Sequence, residues 1–334
     1  MRILHLAAKE KNDRVWIPEF EERLREFGSL SIHEHAEAYS EPKVAELIRD
    51  CDVLITSWGA LAVPPEIAAR PGRLKYVCYT NGGVRACVPR EIVEAGIPVT
   101  NWGDAPAQRL AEAAFALLIS VLKDIPARVD TVRRGGWKPP DTVYGGGLEG
   151  LQIGIYGLGA IGTAFELMLR PFLPVVRVFD PYRNDLPETC TRVDTLGELF
   201  EASDAIVVHA GLSDETRGSI TRELLALLPD HGIVINTARG AIFDQNALFV
   251  ELEKGRLRAG LDVLDPEHLP IDHPARHWPN VILTAHDLGK IRPVPGARPG
   301  FWKFHHVCLE NIRRFADGEP LKFVMDLDRY EIST

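Results

Sequence analysis

Apolar and polar positions along the chain alternate between two textures: short β-branched or apolar runs, and longer amphipathic stretches between them. RILHLA (2–7), CDVLITS (51–57) and LKYVCY (74–79) read as strands, with VWIPEFEERLREF (15–27) and PKVAELIRD (42–50) as helices between them. A second series starts at 151, with strands QIGIY (152–156), VVRVF (175–179), AIVVH (205–209), GIVIN (232–236), LRAGLDV (257–263) and NVILT (280–284). Helices fit the intervals, among them DQNALFVELEKG (244–255), with Asp244 placed to cap it. Such βαβ alternation predicts parallel sheets joined by right-handed crossovers, an α/β fold.

A long apolar helix, 106–124, and a Gly/Pro-rich stretch, RRGGWKPPDTVYGGGLEG (133–150), separate the two series. After 290 come another Pro/Gly-rich loop, 292–300, and a helix, 301–317. A length of 334 residues exceeds what one core usually supports, so two domains are expected. With 46% apolar and 25% charged residues the chain is globular in composition. A net charge of −9 with no basic cluster excludes a nucleic-acid partner, which needs a positive face to release counterions. The five cysteines are scattered without a C-x-x-C, so no zinc knuckle or disulfide framework is indicated. The longest apolar segment, 111–122, is too short to span a bilayer, and the N-terminus reads as a first strand rather than a signal peptide. No membrane partner and a cytoplasmic location are the expectation.

Residues 157–162, GLGAIG, form a G-x-G-x-x-G that follows a strand pattern and opens a helix pattern. Gly157 permits the tight turn, Gly159 lets backbone approach a pyrophosphate, and Gly162 allows close helix–strand packing. Ala160 and Ile161 then begin a helix whose free N–H groups favour phosphate. The next strand ends at Asp180, 18 residues beyond Gly162, where an acid accepts the ribose hydroxyls of NAD and repels a 2′-phosphate. Arg183 nearby softens that discrimination. The cofactor expected is NAD.

Three later strands end in charged or titratable residues: Arg239 after the fourth, Asp262, Asp265 and Glu267 after the fifth, and His286 after the sixth. Strand carboxyl ends are where ligands bind in doubly wound sheets. Hydride transfer to a carbonyl leaves an alkoxide that a histidine can protonate. A carboxylate beside that histidine fixes its tautomer, and an arginine grips a substrate carboxylate.

GLGAIG with Asp180, HAGLSDETRG (209–218), NTARGAIFD (236–244), GLDVLDPE (260–267) and NVILTAH (280–286) together resemble the D-2-hydroxyacid dehydrogenase family, as does VTNWGDAPAQRLAEAAFALL (99–118). The matches run from about residue 75 to 320. By that resemblance Arg239 binds the substrate carboxylate, Glu267 pairs with the histidine and His286 is the general acid/base. Glu267 is preferred to Asp265 because the family's acid lies five residues after the aspartate at the position of Asp262. Asp262 is placed near the nicotinamide, while His209, Ala210, Thr237 and Ala238 line the cofactor. The loop Asn81, Gly82 and Gly83 holds the substrate carboxylate through its backbone. The implied fold is a Rossmann-type doubly wound cofactor domain, 105–290, plus a smaller flavodoxin-like α/β substrate domain built from 1–104 and 291–334. The implied activity interconverts a 2-keto acid and a D-2-hydroxy acid, of glyoxylate or hydroxypyruvate type, in a homodimer formed through the cofactor domain and the joining helix.

Several positions depart from the family pattern. Arg85 stands where an acid is common, and reads either as a charge that favours a substrate with a second anionic group or as a solvated surface arginine. Ala113 replaces a common histidine, and Gly211 a common proline. The 290–304 loop is several residues longer than usual and begins beside His286, where it can reshape or cover the substrate pocket. Glu267 argues against a formate dehydrogenase. A phosphite-type dehydrogenase and an NADH-sensing corepressor-type binding protein remain rival readings. His268, His273 and His277 invite a metal, but Pro274 and Pro279 shorten that helix and no acid or Cys completes a set, so none is expected. His305 and His306 face two ways on a helix and form no joint site.

Overall fold

The computed structural model describes residues 1–140, 145–289 and 300–332. Two compact units divide the chain: Met1–Pro106 with Arg292–Thr334, and Ala107–Ile291.

The first unit is built on β1 (Arg2–Leu6), β2 (Ser29–His33), β3 (Val53–Thr56), β4 (Tyr76–Tyr79) and β5 (Val99–Thr100), all parallel, in the order β2-β1-β3-β4-β5. This is the flavodoxin-like order. β3 and β4 are buried at every position, as a parallel sheet covered on both faces requires. β2 and β5 escape the hydrophobic pattern. The serines of SLSIH lie on an edge strand that is buried only in part, and β5 is two residues long.

The second unit carries β6 (Gln152–Tyr156), β7 (Val175–Phe179), β8 (Cys190–Arg192), β9 (Ala205–Val208), β10 (Ile233–Asn236), β11 (Arg258–Leu261) and β12 (Val281–Leu283). They form one parallel sheet ordered β12-β11-β10-β9-β6-β7-β8, so chain order reverses direction between β6 and β9. That reversal opens a crevice at the strand carboxyl ends, the usual ligand position of a doubly wound sheet. Of this sheet only β8, CTR, lacks a sequence signal, being short and half-exposed at the edge.

The joining helix, Ala107–Leu122, buries Ala111, Ala114, Leu117 and Leu118 against the helix that follows β6 and against the sheet. The helix Gln245–Glu253 begins as expected: the Asp244 carboxylate accepts the Ala247 N–H at 2.9 Å. By contrast, the helix Ile125–Arg133 buries none of its residues, and Ile125, Val129 and Val132 face outward. Among the described residues no helix is long and apolar enough to cross a membrane.

Candidate active site

The glycine turn sits at the reversal point. Gly157 has φ +91°, and a Cβ there would lie 2.6 Å from the Ala210 nitrogen. A Cβ on Gly162 would lie 2.3 Å from the Gly157 carbonyl oxygen, so the helix Ala160–Leu169 approaches the turn as closely as only glycine allows. Around Gly159 the space is open. The first-turn N–H groups of Ala160, Ile161 and Gly162 have no carbonyl within their helix to bond.

Asp180 does more than its position after β7 suggested. Its Oδ2 accepts the Leu158 N–H at 2.7 Å, and Oδ1 accepts those of Tyr182 and Arg183 at 2.9 and 3.1 Å. The carboxylate therefore ties the glycine turn to β7, with lone pairs left for a diol. Arg183 is turned beneath the turn, its Nη1 donating to the Leu158 carbonyl and Thr163 Oγ1, both at 2.7 Å.

His209 packs on Phe165 at 5.0 Å, and desolvation of its ring in this partly buried position pushes its pKa down to about 3 and keeps the ring neutral. Its Nε2 has no hydrogen-bond partner among the described residues. An orphaned polar atom beside an open glycine turn, with an acid at the end of the next strand, fits a dinucleotide.

The chemistry-bearing side chains come from the ends of β10, β11 and β12. Past β10, Thr237 is buried and Ala238 partly so. The buried Asn236 staples this turn: Oδ1 accepts the Ala238 N–H at 3.0 Å and Nδ2 donates to the Arg239 carbonyl at 2.9 Å. Arg239 Nη1 donates to the Ala238 carbonyl at 2.7 Å. Burial lowers the guanidinium's proton affinity, and the Glu267 charge opposes that shift.

Past β11, Asp262 is buried and organises the turn that bears the histidine. Its Oδ1 accepts from Thr284 Oγ1 at 2.6 Å and from the Asp287 and Leu288 N–H groups at 3.0 and 3.4 Å. Its carbonyl accepts the His286 N–H at 2.5 Å. Within this turn Ala285 and His286 both adopt left-handed backbone, φ +55° and +53°. His286 Nδ1 meets Glu267 Oε1 at 2.6 Å, with the two side chains 46% and 49% exposed. Asp265 makes no such contact; its backbone N–H and C=O are both held by the Gln245 amide at 2.8 Å.

In the other unit, Asn81, Gly82 and Gly83 follow β4. Asn81 is buried, and its Oδ1 accepts the Trp58 N–H at 2.8 Å. The Gly82 carbonyl accepts from Asn101 Nδ2 at 3.1 Å. Arg85 is exposed, and its charge acts on Tyr330. Most of the 290–304 loop, residues 290–299, lies outside the described residues. His273 has a local task, its Nδ1 accepting the Ala275 N–H at 3.2 Å. His305 is buried and bonded to the Val15 carbonyl while His306 is exposed, so the two do face apart.

Sequence reasoning missed Asn236 and Gln245 as positioning groups. An Asn at the last position of a buried strand is the only local signal for the first. Gln245 acts on a loop 20 residues away and leaves none.

Residues 115–287 match the model of the family described as "D-isomer specific 2-hydroxyacid dehydrogenase, NAD binding domain". The chain is 31% identical over 313 residues to D-3-phosphoglycerate dehydrogenase of Methanocaldococcus jannaschii, covering 91% of this chain and 56% of that protein. It is 31% identical over 257 residues to hydroxypyruvate reductase of Thermotoga maritima, covering 75% of this chain and 82% of that protein. A solved D-isomer specific 2-hydroxyacid dehydrogenase from Xanthobacter autotrophicus Py2, in complex with NADPH and MES, superposes with a TM-score of 0.72. It has 26% identity, and the match covers 98% of each chain.

Proposed function

The chain belongs to the D-isomer-specific 2-hydroxyacid dehydrogenase family, and on that premise we propose that it interconverts a 2-keto acid and the corresponding D-2-hydroxy acid. NAD(H), the family's cofactor, supplies or accepts the hydride at the substrate's C2. Asp180 receives the adenosine ribose, which selects NAD over NADP, and Gly157–Gly162 receive the pyrophosphate. His209, Ala210, Thr237 and Ala238 line the rest of the cofactor.

His286 gives its proton to the carbonyl oxygen as that oxygen gains charge, and takes it back in the oxidative direction. Glu267 on Nδ1 leaves Nε2 as the nitrogen that exchanges the proton. Arg239 holds the substrate carboxylate. The observation that carries this reading is the 2.6 Å His286–Glu267 bond on a turn that Asp262 holds in shape.

The relatives named as hydroxypyruvate and glyoxylate reductases support small 2-keto acids as the substrate class. NADH consumption with glyoxylate, hydroxypyruvate, pyruvate, phenylpyruvate and oxaloacetate tests the reading. Turnover abolished in His286→Ala supports it; absence of turnover on every keto acid refutes it. The outward Ile125, Val129 and Val132, with Trp137 85% exposed, support assembly as a homodimer through the joining region, to be checked by light scattering. Five unpaired thiols suit a reducing cytoplasm.

A further inference from the structure

Glu267 lies on a stretch, residues 262–273, that forms neither helix nor strand, and its side chain is 49% exposed. An ion pair in water is too weak to hold two loops in register, so the carboxylate must be placed by other contacts. Two contacts with the segment after β10 do this. The Gln245 side-chain amide closes a two-bond ring with the Asp265 backbone: Oε1 accepts its N–H and Nε2 donates to its C=O, both at 2.8 Å. Gly240 lets the same loop come close, since a Cβ there would lie 2.1 Å from the Leu264 carbonyl carbon and 2.5 Å from the Asp265 nitrogen. Gln245 is itself well anchored. It is half-buried and opens the helix Gln245–Glu253, which Asp244 caps, and the Asp244 N–H bonds the Ile220 carbonyl at 2.9 Å. An uncharged amide on a rigid helix start grips the loop equally at every pH. The grip matters because the Glu267 charge acts on two cationic groups. His286 Nδ1 lies 2.6 Å away, and the Arg239 guanidinium feels the same carboxylate. Arg239, Gly240 and Gln245 belong to one segment, so these contacts fix the acid relative to the arginine as well as to the histidine.

We infer that Gln245 is a positioning residue that keeps the Glu267 carboxylate on His286 and off Arg239, by clamping the Asp265 peptide. The inference rests on the roles proposed above for Glu267, His286 and Arg239, and adds the residue that keeps them apart. Without the clamp, the acid is free to swing to the guanidinium. There it occupies the group assigned to the substrate carboxylate and leaves the imidazole without its partner. One substitution then shows in two places: a lower kcat through His286 and a higher KM through Arg239.

The test reads the imidazole directly, in the full chain without substrate. Nitrogen-15 NMR of the histidine-labelled protein at alkaline pH, with His286→Ala to assign the signal, should show the proton on Nδ1, facing Glu267. Gln245→Met, similar in volume but without the amide, should give a mixture of the two tautomers. In steady-state NADH oxidation the same variant should lower kcat by about 10-fold and raise the keto acid KM by about 3-fold, with NADH titration unchanged. Gln245→Glu keeps an acceptor for the Asp265 N–H and should fall between; it carries the test if Gln245→Met does not fold. In the Glu267→Gln background, Gln245→Met should cost nothing further in kcat, because its effect passes through the acid. A wild-type tautomer in the Gln245 variant, or kcat losses that multiply in the double variant, overturns the inference. A tautomer change in a protein that reduces no keto acid upholds the clamp while refuting the proposed reaction.

Discussion

Asp262→Ala tests how the histidine is held. The substitution removes one carboxylate oxygen that accepts the Thr284 hydroxyl at 2.6 Å and the Asp287 N–H at 3.0 Å, with Leu288 N–H at the long distance of 3.4 Å. Hydrogen bonds to a charged acceptor contribute about 1.5–3 kcal/mol each. Against them stands the backbone of Ala285 and His286, both left-handed, at about 1–2 kcal/mol per residue. What Asp262 supplies and what the turn costs are therefore similar in size, and without the carboxylate the turn has no reason to keep its shape. A net loss of about 3 kcal/mol is expected, which in a unit of this size lowers Tm by about 6–12 °C. Activity should fall further than occupancy of the fold explains: displacing His286 by about 1 Å costs on the order of 10²-fold in kcat. Asp262→Asn, which keeps an uncharged acceptor, should lie between. The assays are thermal unfolding followed by circular dichroism and single-turnover NADH oxidation at a temperature where both variants are folded. A Tm within about 2 °C of wild type, with kcat within about threefold, would refute the claim that Asp262 shapes this turn.

Gly162→Ala must push against the Gly157 carbonyl 2.3 Å away and should lose NADH binding by fluorescence titration, or fold poorly. Gly159→Ala meets no atom within 4 Å, so it should fold normally and weaken NADH binding alone. Glu267→Gln should lower kcat by about 10²-fold with little change in NADH affinity, since general acid–base catalysis is worth 10²–10⁴-fold; an unchanged kcat would remove Glu267 from the mechanism. Arg239→Leu should raise KM for the keto acid and lower kcat/KM by about 10²-fold without altering NADH titration. The buried imidazoles of His5, His305 and His209 have pKa values lowered by burial from 6.5 to about 4, 4 and 3. Each stays neutral in the fold but accepts a proton in the unfolded chain, so stability is full above 6.5 and falls as pH drops toward those values. At pH 5 each removes about 2 kcal/mol. Denaturant unfolding at pH 7 and 5 should show the loss, and His305→Gln should flatten the slope; a pH-independent midpoint contradicts it.

The elements that build the site were legible because they are buried on both faces and so read as unbroken apolar runs: QIGIY, GIVIN and their neighbours. The strands without a signal are edge strands: SLSIH and CTR, whose polar residues face solvent, and the two-residue β5, too short to show a pattern. Glu267 and His286 were legible as candidates because each follows a strand by a few residues, and the geometry joins them. Their supports were not. Asp262 reaches residues 22 to 26 positions away, and Asp180 grips a turn 22 positions back, so neither hydrogen bond leaves a local pattern. Trp58 and Trp102 meet only because β3, β4 and β5 are laid side by side.

The strand order of the second unit has a consequence for how such a protein diversifies. Because β10, β11 and β12 are consecutive both in the chain and in the sheet, everything from Arg239 to His286 lies on one uninterrupted stretch of gene. The glycine turn and Asp180 lie on an earlier one, beyond β9. On the roles proposed above, a single crossover between them, in the segment that leads from β9 to β10, would exchange the turn and Asp180 without separating Arg239, Glu267 and His286 from one another. Chimeras of two relatives joined at that point should then keep one parent's NAD preference with the other's turnover.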